Sequence, residues 1–426
     1  MADRRINARR NFLKNSAGLA AFSMISGGVH ASNASTLKVG LVGCGGRGTG
    51  AASQALRADK EVELVAVGDM FPDRLQGSLA QLKADGEIAS RIKVSPENCF
   101  TGFDAYQKVI NSGIDVVLLA SPPGFRPAHI EAAIAAGKHV FAEKPVAVDA
   151  PGCRKVLEAC RLAKEKNLAV VSGLCWRYDR PKRETMKRIH DGALGELHTL
   201  HTNYNVGSLW MKKRQPDWND MEYQLRNWYY YGWLSGDHNV EQHIHSLDKC
   251  IWALKDEAPI AAYGLGGRQV RTGTDFGHIF DHHAVVYEFK SGAKIFSFCR
   301  QQDGCYSDVN DYFQGSKGHC NVMKHLITGP EAWNYRRDGS EIDMYQSEHN
   351  ELFASIRAGK PINDGEWMTR STLVAILGRM VTYTGKRITW DQATNSKEGL
   401  APANLTLNDQ KLPTPPVAMP GKTTFI

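Results

Sequence analysis

Leu37-Lys38-Val39-Gly40-Leu41-Val42, running directly into Gly43-Cys44-Gly45-Gly46-Arg47-Gly48, is the stretch on which the reading of the fold turns. The first six residues read as a short buried strand, and Thr49 to Ala58 continues as a helix-compatible segment. A glycine-rich turn alone is weak evidence; between a strand and a helix it is the setting in which G-x-G-x-x-G cradles a dinucleotide. The chemistry accounts for the spacing. Gly43 permits the tight turn, Gly45 lets the backbone approach a pyrophosphate, and Gly48 lets the helix pack close to the strand. Gly46 and Arg47 complete the turn, and the phosphates are expected at the helix N-terminus. A second strand over Glu63 to Gly68 ends at Asp69, 21 residues past Gly48. A carboxylate there accepts from both ribose hydroxyls and repels a 2′-phosphate, which favours NAD over NADP. The alternative is a strand-end Asp that caps the following turn.

Working outward, Ile114 to Ala120 and His139 to Ala142 read as further apolar strands, with a helix over Arg126 to Ala136 between them and another strand over Ala169 to Gly173. Strands alternating with helices predict a doubly wound parallel sheet. The chain has 426 residues, 42% apolar and 23% charged, which suits two or three domains and excludes disordered, collagenous and coiled-coil classes. No apolar run is long enough to span a bilayer.

The formal charge of +7 is uneven. Residues 1–31 carry Arg4, Arg5, Arg9, Arg10 and Lys14 against Asp3, and the remainder is only mildly basic, so nucleic acid is not an expected partner. Ala8-Arg9-Arg10-Asn11-Phe12-Leu13-Lys14 resembles a twin-arginine export motif, and a mildly apolar stretch from Ser16 to Val29 follows, with small residues near 31 and 34. Residues 1–34 are therefore expected to be a signal peptide, removed on transfer to the periplasm; the alternative is a disordered basic tail. Nine dispersed cysteines without a CxxC read as buried small hydrophobes.

Ala142-Glu143-Lys144-Pro145, about a hundred residues after the glycine turn, resembles the E-K-P signature of the Gfo/Idh/MocA oxidoreductases. Ser121-Pro122-Pro123 with His129 downstream, Gly137-Lys138-His139-Val140, and Glu241-Gln242-His243-Ile244-His245-Ser246-Leu247-Asp248 match further segments in the same order. The resemblance implies a Rossmann domain (35–175) and an α/β domain with a large open, mostly antiparallel sheet (176–390), after which 391–426 reads as an extended tail. It implies hydride transfer between NAD(P) and a sugar, polyol or related carbinol. By position, Lys144 corresponds to the family's active-site lysine and His245 to its catalytic histidine. Glu241 stands where many relatives have Asp. Ser121, Pro122, His129 and Glu143 join the cofactor set.

The residues support that chemistry independently. Oxidising a carbinol needs a base for the hydroxyl proton, and imidazole titrates near neutrality. Residues 241 and 245, spaced i, i+4, are expected on one helix face, with the carboxylate orienting the ring. Lys144 stabilises alkoxide character. The other readings are a core histidine for His245 and a solvated surface lysine for Lys144. His238, His243, His245, His282 and His283 with Glu241 raise a metal site, but Glu-x-His-x-His does not match H-E-x-x-H, so no metal is expected.

The stretch 206–238 mixes aromatics with charges and has no clean period, so it reads as a long insertion loop with a short helix. Flat rings beside polar donors suit a pyranose, and Trp228, Tyr230, Trp233 and His238, with Tyr178, are taken as substrate-binding candidates. Packing of the insertion or a subunit interface explains the same composition. Strands over Ala284–Phe289 and Lys294–Phe298 flank a Ser291-Gly292 turn, and helices are predicted over Glu348–Ala358 and Trp367–Thr384. An exported NAD-dependent sugar oxidoreductase with a retained, recycled cofactor is the leading reading, assembled as a homodimer or homotetramer. A redox glycosidase working through a transient 3-keto sugar, and a non-catalytic NAD-binding protein, are the alternatives.

Overall fold

The computed structural model describes residues 35–402, 405–407 and 411–426; the expected export segment lies outside the described residues. Strands β1 (Leu37–Val42), β2 (Val62–Asp69), β3 (Cys99–Thr101), β4 (Val116–Leu119), β5 (His139–Ala142) and β6 (Val170–Ser172) form one parallel sheet. Its order is β3-β2-β1-β4-β5-β6. Every residue of β4 and β5 is buried, as expected of central parallel strands covered by helices on both faces, and the edge strand β6 is buried too, with Val170 bridging to Asn363. The chain reverses direction across the sheet between β1 and β4, and a crevice opens there beyond the strand C-termini.

The second sheet has nine strands: β7 (Leu197–Val206), β8 (Ala261–Gly267), β9 (His282–Glu288), β10 (Lys294–Gln301), β11 (Asp308–Gly315), β12 (His319–Asn321), β13 (Leu326–Thr328), β14 (Trp333–Asn334) and β15 (Ile388–Thr389). They run in the order β14-β13-β12-β11-β7-β10-β9-β8-β15. All its neighbours are antiparallel except β7 with β10. The Ser291-Gly292 hairpin joins β9 to β10 as predicted. One face carries helices Ile244–Ala253 and Gly365–Thr384, while the other exposes Leu265, Phe298 and Tyr312. The fold is therefore α/β, with a Rossmann-type parallel sheet beside a mostly antiparallel one.

Two late helices tie the halves together. Gly365–Thr384 is buried around most of its circumference, packing against helix Ala150–Glu165 and against β8 and β9. Met344–Arg357 returns to helix Gly46–Ala58, so a segment three hundred residues downstream faces the glycine turn. The stretch after 390 begins as a helix, Trp390–Asn395, rather than as an extended tail. Beyond it the chain lies on its own body: Leu407 and Leu412 carbonyls accept from Asn219 and Gln224, and Gly421 N donates to Thr384 O.

Candidate active site

A cavity of about 630 Å³ opens above the ends of β1, β2, β4 and β5. The glycine turn forms its floor. Gly43 has φ +97°, and a Cβ there would lie 2.5 Å from the Ala120 carbonyl carbon; at Gly48 a Cβ would lie 1.8 Å from Gly43 O. Gly45 differs, because a Cβ there meets nothing within 4 Å. Two glycines are thus required by protein backbone, and the third faces open space where a pyrophosphate fits against the N-terminus of helix Gly46–Ala58. Asp69 closes the turn by accepting from Cys44 N at 2.6 Å and from Phe71 N at 3.0 Å. Burial raises its pKa, and its carboxylate lines the cavity beside Arg74. The capping and ribose-binding readings of Asp69 are compatible, since the two amides leave lone pairs free.

Lys144, just past the end of β5, and His245 line the same cavity. The Lys144 ammonium donates to Glu241 O at 2.6 Å and to Glu241 Oε1 at 3.0 Å. The carboxylate expected to orient the imidazole is instead bonded to the lysine, and His245 Nδ1 has no partner. The two residues do not share a helix either. Helix His238–Glu241 ends in a wide turn, in which His238 O accepts from both Gln242 N and His243 N, and helix Ile244–Ala253 starts afresh. Burial first, then the charges of Lys144 and Lys249, hold His245 well below the ordinary imidazole value. The ring is neutral and proton-accepting at pH 7.

Arg47 and Glu143, both cavity-lining, form an ion pair. Arg47 also reaches Glu348 Oε1 at 3.0 Å and Gln54 Oε1 at 2.8 Å. Burial beside Glu143 pushes the Glu348 carboxyl well up. Glu143 accepts from Lys144 N at 3.2 Å, so this network holds the backbone that presents the lysine. Ser121 and Pro122 line the cavity, and Ser121 Oγ shares a hydrogen bond with His129 Nδ1 at 3.1 Å, where His129 stacks on Tyr106.

The substrate-side expectations divide. Trp228 lines the cavity; Tyr178, Tyr230, Trp233 and His238 do not. Tyr178 is core, donating to Asp364. Tyr230 donates to Trp210 O at 3.1 Å, and Trp233 donates through Nε1 to Gln224 at 2.8 Å with its ring edge-on to Phe125. The insertion holds a helix, Asp220–Arg226, and two single turns, Trp228–Tyr230 and Gly232–Ser235, which direct most of its rings inward. His238 is 1% exposed and sits 2.9 Å from Asp237 Oδ1. Asp237, His238 and His283 bring three metal-competent atoms within 4.8 Å of one another. Asp237 accepts from His283 at 3.1 Å, Phe280 N at 3.0 Å and the Tyr383 hydroxyl at 2.6 Å. These atoms satisfy each other. Asp248, the last residue of the 241–248 segment, is likewise structural, held by buried Arg177 at 2.8 Å.

Residues that the sequence reading passed over also line the cavity: Arg126, Gln242 and Tyr345. Arg126 lies three positions before His129, on one helical face with it, which is the only signal that pointed to it.

A Rossmann sheet whose glycine turn, lysine and histidine face one crevice is an arrangement suited to binding a dinucleotide beside a second ligand. A family model described as "Oxidoreductase family, NAD-binding Rossmann fold" (GFO_IDH_MocA) matches residues 37–173, the part of the chain that holds the parallel sheet. It is 27% identical over 263 residues to the inositol 2-dehydrogenase of Burkholderia lata, a stretch that spans 61% of this chain and 66% of that relative. Two solved structures share the fold. The aldose-aldose oxidoreductase of Caulobacter crescentus, complexed with glycerol, is 19% identical with a TM-score of 0.63, covering 83% of this chain and 99% of that one. A levoglucosan dehydrogenase in complex with NADH and levoglucosan is 16% identical with a TM-score of 0.63 over the same shares.

Proposed function

We propose that the protein is an NAD-dependent dehydrogenase of a sugar or sugar-derived carbinol. The observation that carries this is the placement of Lys144 and His245 on the wall of the cavity whose floor is the glycine turn. Gly45 and Gly46 would seat the pyrophosphate, Asp69 the adenosine ribose, and Ser121, Glu143 and Lys144 the nicotinamide end. Asp69 favours NAD over NADP. The bound dinucleotide supplies the hydride acceptor. His245 takes the hydroxyl proton onto its neutral ring, and Lys144 steadies the negative charge growing on the substrate oxygen. Glu241 positions Lys144. Trp228 and Trp210 offer flat faces to the apolar side of a sugar ring.

The basic segment before residue 34 supports export by the twin-arginine route. An exported enzyme meets little free nicotinamide, so we read the cofactor as retained and recycled between two substrates. The exposed Leu265, Phe298 and Tyr312 support assembly through the outer face of the nine-stranded sheet.

The test is to purify the protein after export, denature it and measure released NAD(H), then to screen mono- and disaccharides by mass spectrometry for ketosugar. Stoichiometric cofactor and a ketosugar product are expected. A protein that is empty and binds NAD weakly contradicts cofactor retention. Aglycone release from chromogenic glycosides, dependent on bound NAD, would replace the dehydrogenase reading with a redox glycosidase.

A further inference from the structure

One buried cation on the cavity wall, Arg126, forms no ion pair among the described residues. Arg126 is 5% exposed and lines the cavity. One terminal nitrogen donates to Pro145 O at 2.5 Å, and Nε has no partner. Among the described residues no carboxylate forms an ion pair with it: Glu143 is engaged by Arg47 and Glu241 by Lys144. Arg126 opens helix Arg126–Ala135, whose dipole adds positive potential at the same point. Burial brings its pKa down to about 10, opposed by the charges of Glu143 and Glu241, and it stays a cation at neutral pH.

A buried, unpaired guanidinium is costly unless a ligand neutralises it. The pyrophosphate is not placed to do so. Its seat is the start of helix Gly46–Ala58, whereas Arg126 is bonded to the residue that follows Lys144, at the reacting end. Lys212 lines the same cavity, and its ammonium makes no ion pair among the described residues.

We infer that the substrate carries a carboxylate, held by the fork of Arg126 with Lys212 drawing it in, so that the enzyme acts on a sugar acid rather than a neutral sugar. This rests on the reading of the cavity as a carbinol-oxidising site. A monoanion matches the single buried cation, and the planar fork matches a carboxylate in two parallel hydrogen bonds.

The test uses the NAD-loaded protein and matched pairs: D-glucuronate against D-glucose, and D-galacturonate against D-galactose. Binding is followed by calorimetry and turnover by cofactor absorbance. At least one acid is expected to bind ten or more times tighter than its neutral partner. That preference is expected to fall by about a hundredfold in Arg126→Gln and to return in part in Arg126→Lys, with NAD affinity within about twofold of the parent. Equal or tighter binding of the neutral sugar in both pairs overturns the inference, and the unmutated protein alone decides this if the variants fail to fold. Loss of NAD affinity in Arg126→Gln, with the acid preference intact, also overturns it. Preferential acid binding with no cofactor reduced would leave the carboxylate seat standing and remove the dehydrogenase reading.

Discussion

The Lys144 ammonium grips Glu241 twice, through the backbone carbonyl at 2.6 Å and through the carboxylate at 3.0 Å, across 97 positions of sequence. The lysine is thus fixed before substrate arrives, which is how a charge lowers a barrier without reorganising during reaction. Lys144→Met is expected to lower kcat by about a hundred- to a thousandfold, with NAD affinity retained. Glu241→Gln keeps the carbonyl contact and is expected to cost only about tenfold in kcat. Equal losses in the two variants, measured by steady-state kinetics, would contradict this arrangement.

His245 lies well below the usual imidazole pKa because it is shielded from water and faces two ammonium groups. It is a free base through the neutral range and becomes protonated, and inactive, only as pH falls through that depressed value. The acid limb of kcat/KM is therefore expected below pH 6.5. His245→Asn should lose about a hundred- to ten-thousandfold in kcat and the limb with it. A limb at or above pH 6.5 in the unmutated enzyme would assign the base to another group.

The three signature glycines make a contrast experiment. Gly48→Ala puts a methyl 1.8 Å from Gly43 O and should destabilise the fold, lowering the melting temperature by several degrees. Gly45→Ala meets no protein atom within 4 Å and should fold normally while losing dinucleotide affinity by tenfold or more. If Gly45→Ala binds NAD as well as the parent, the pyrophosphate does not lie where the turn suggests.

The parallel sheet was legible because β1, β2, β4 and β5 are apolar runs, each followed by residues that suit a helix or a glycine turn. Asp69 was legible from its distance to the glycine turn, whereas Lys144 and His245 were reached through the resemblance of their segments; all three line the cavity. The rings of 206–238 were not. Helix Asp220–Arg226 and the single turns after it change direction every few residues, so Trp228 faces the cavity while Tyr230 and Trp233 turn inward, and no period announces which. Tyr178 looked cleft-lining because its partner, Asp364, arrives from 186 positions away. The break at 242–243 was hidden for a related reason. It is made by one carbonyl, His238 O, taking two donors, and backbone hydrogen bonding of that kind leaves no mark on side-chain pattern.

Asp69 is expected to set cofactor choice, with Arg74 beside it on the cavity wall. Asp69→Ser removes the repulsion toward a 2′-phosphate and leaves Arg74 free to pair with one. NAD affinity should fall and NADP affinity rise, shifting the ratio by about a hundredfold in titrations followed by cofactor fluorescence. The same change also removes the bond to Cys44 N, so a modest loss of stability should accompany it. An unchanged ratio would mean that the carboxylate serves the turn alone.

Stability should depend on pH through histidines that the fold keeps neutral. Burial, the largest cause in each case, brings His129 down to about 3 and His139, His238, His278 and His325 to about 4. His243, His245 and His349 move the same way. Between the unfolded value of about 6.5 and these folded values, the unfolded chain binds protons that the folded chain refuses. Stability present above pH 6.5 is therefore lost as pH falls toward 4, each fully linked histidine contributing up to about 1.4 kcal/mol per pH unit. Three carboxyls oppose this: burial pushes Asp364 up to about 6 and raises Glu348 and Asp69, so their folded forms hold a proton that the unfolded chain has released. The histidines outnumber them, and the net slope keeps the histidine sign. Guanidinium midpoints should be level from pH 7.5 to 6.5 and decline through 5.5 and 4.5; a midpoint that stays level to pH 4.5 would mean that these rings find proton-accepting partners on folding.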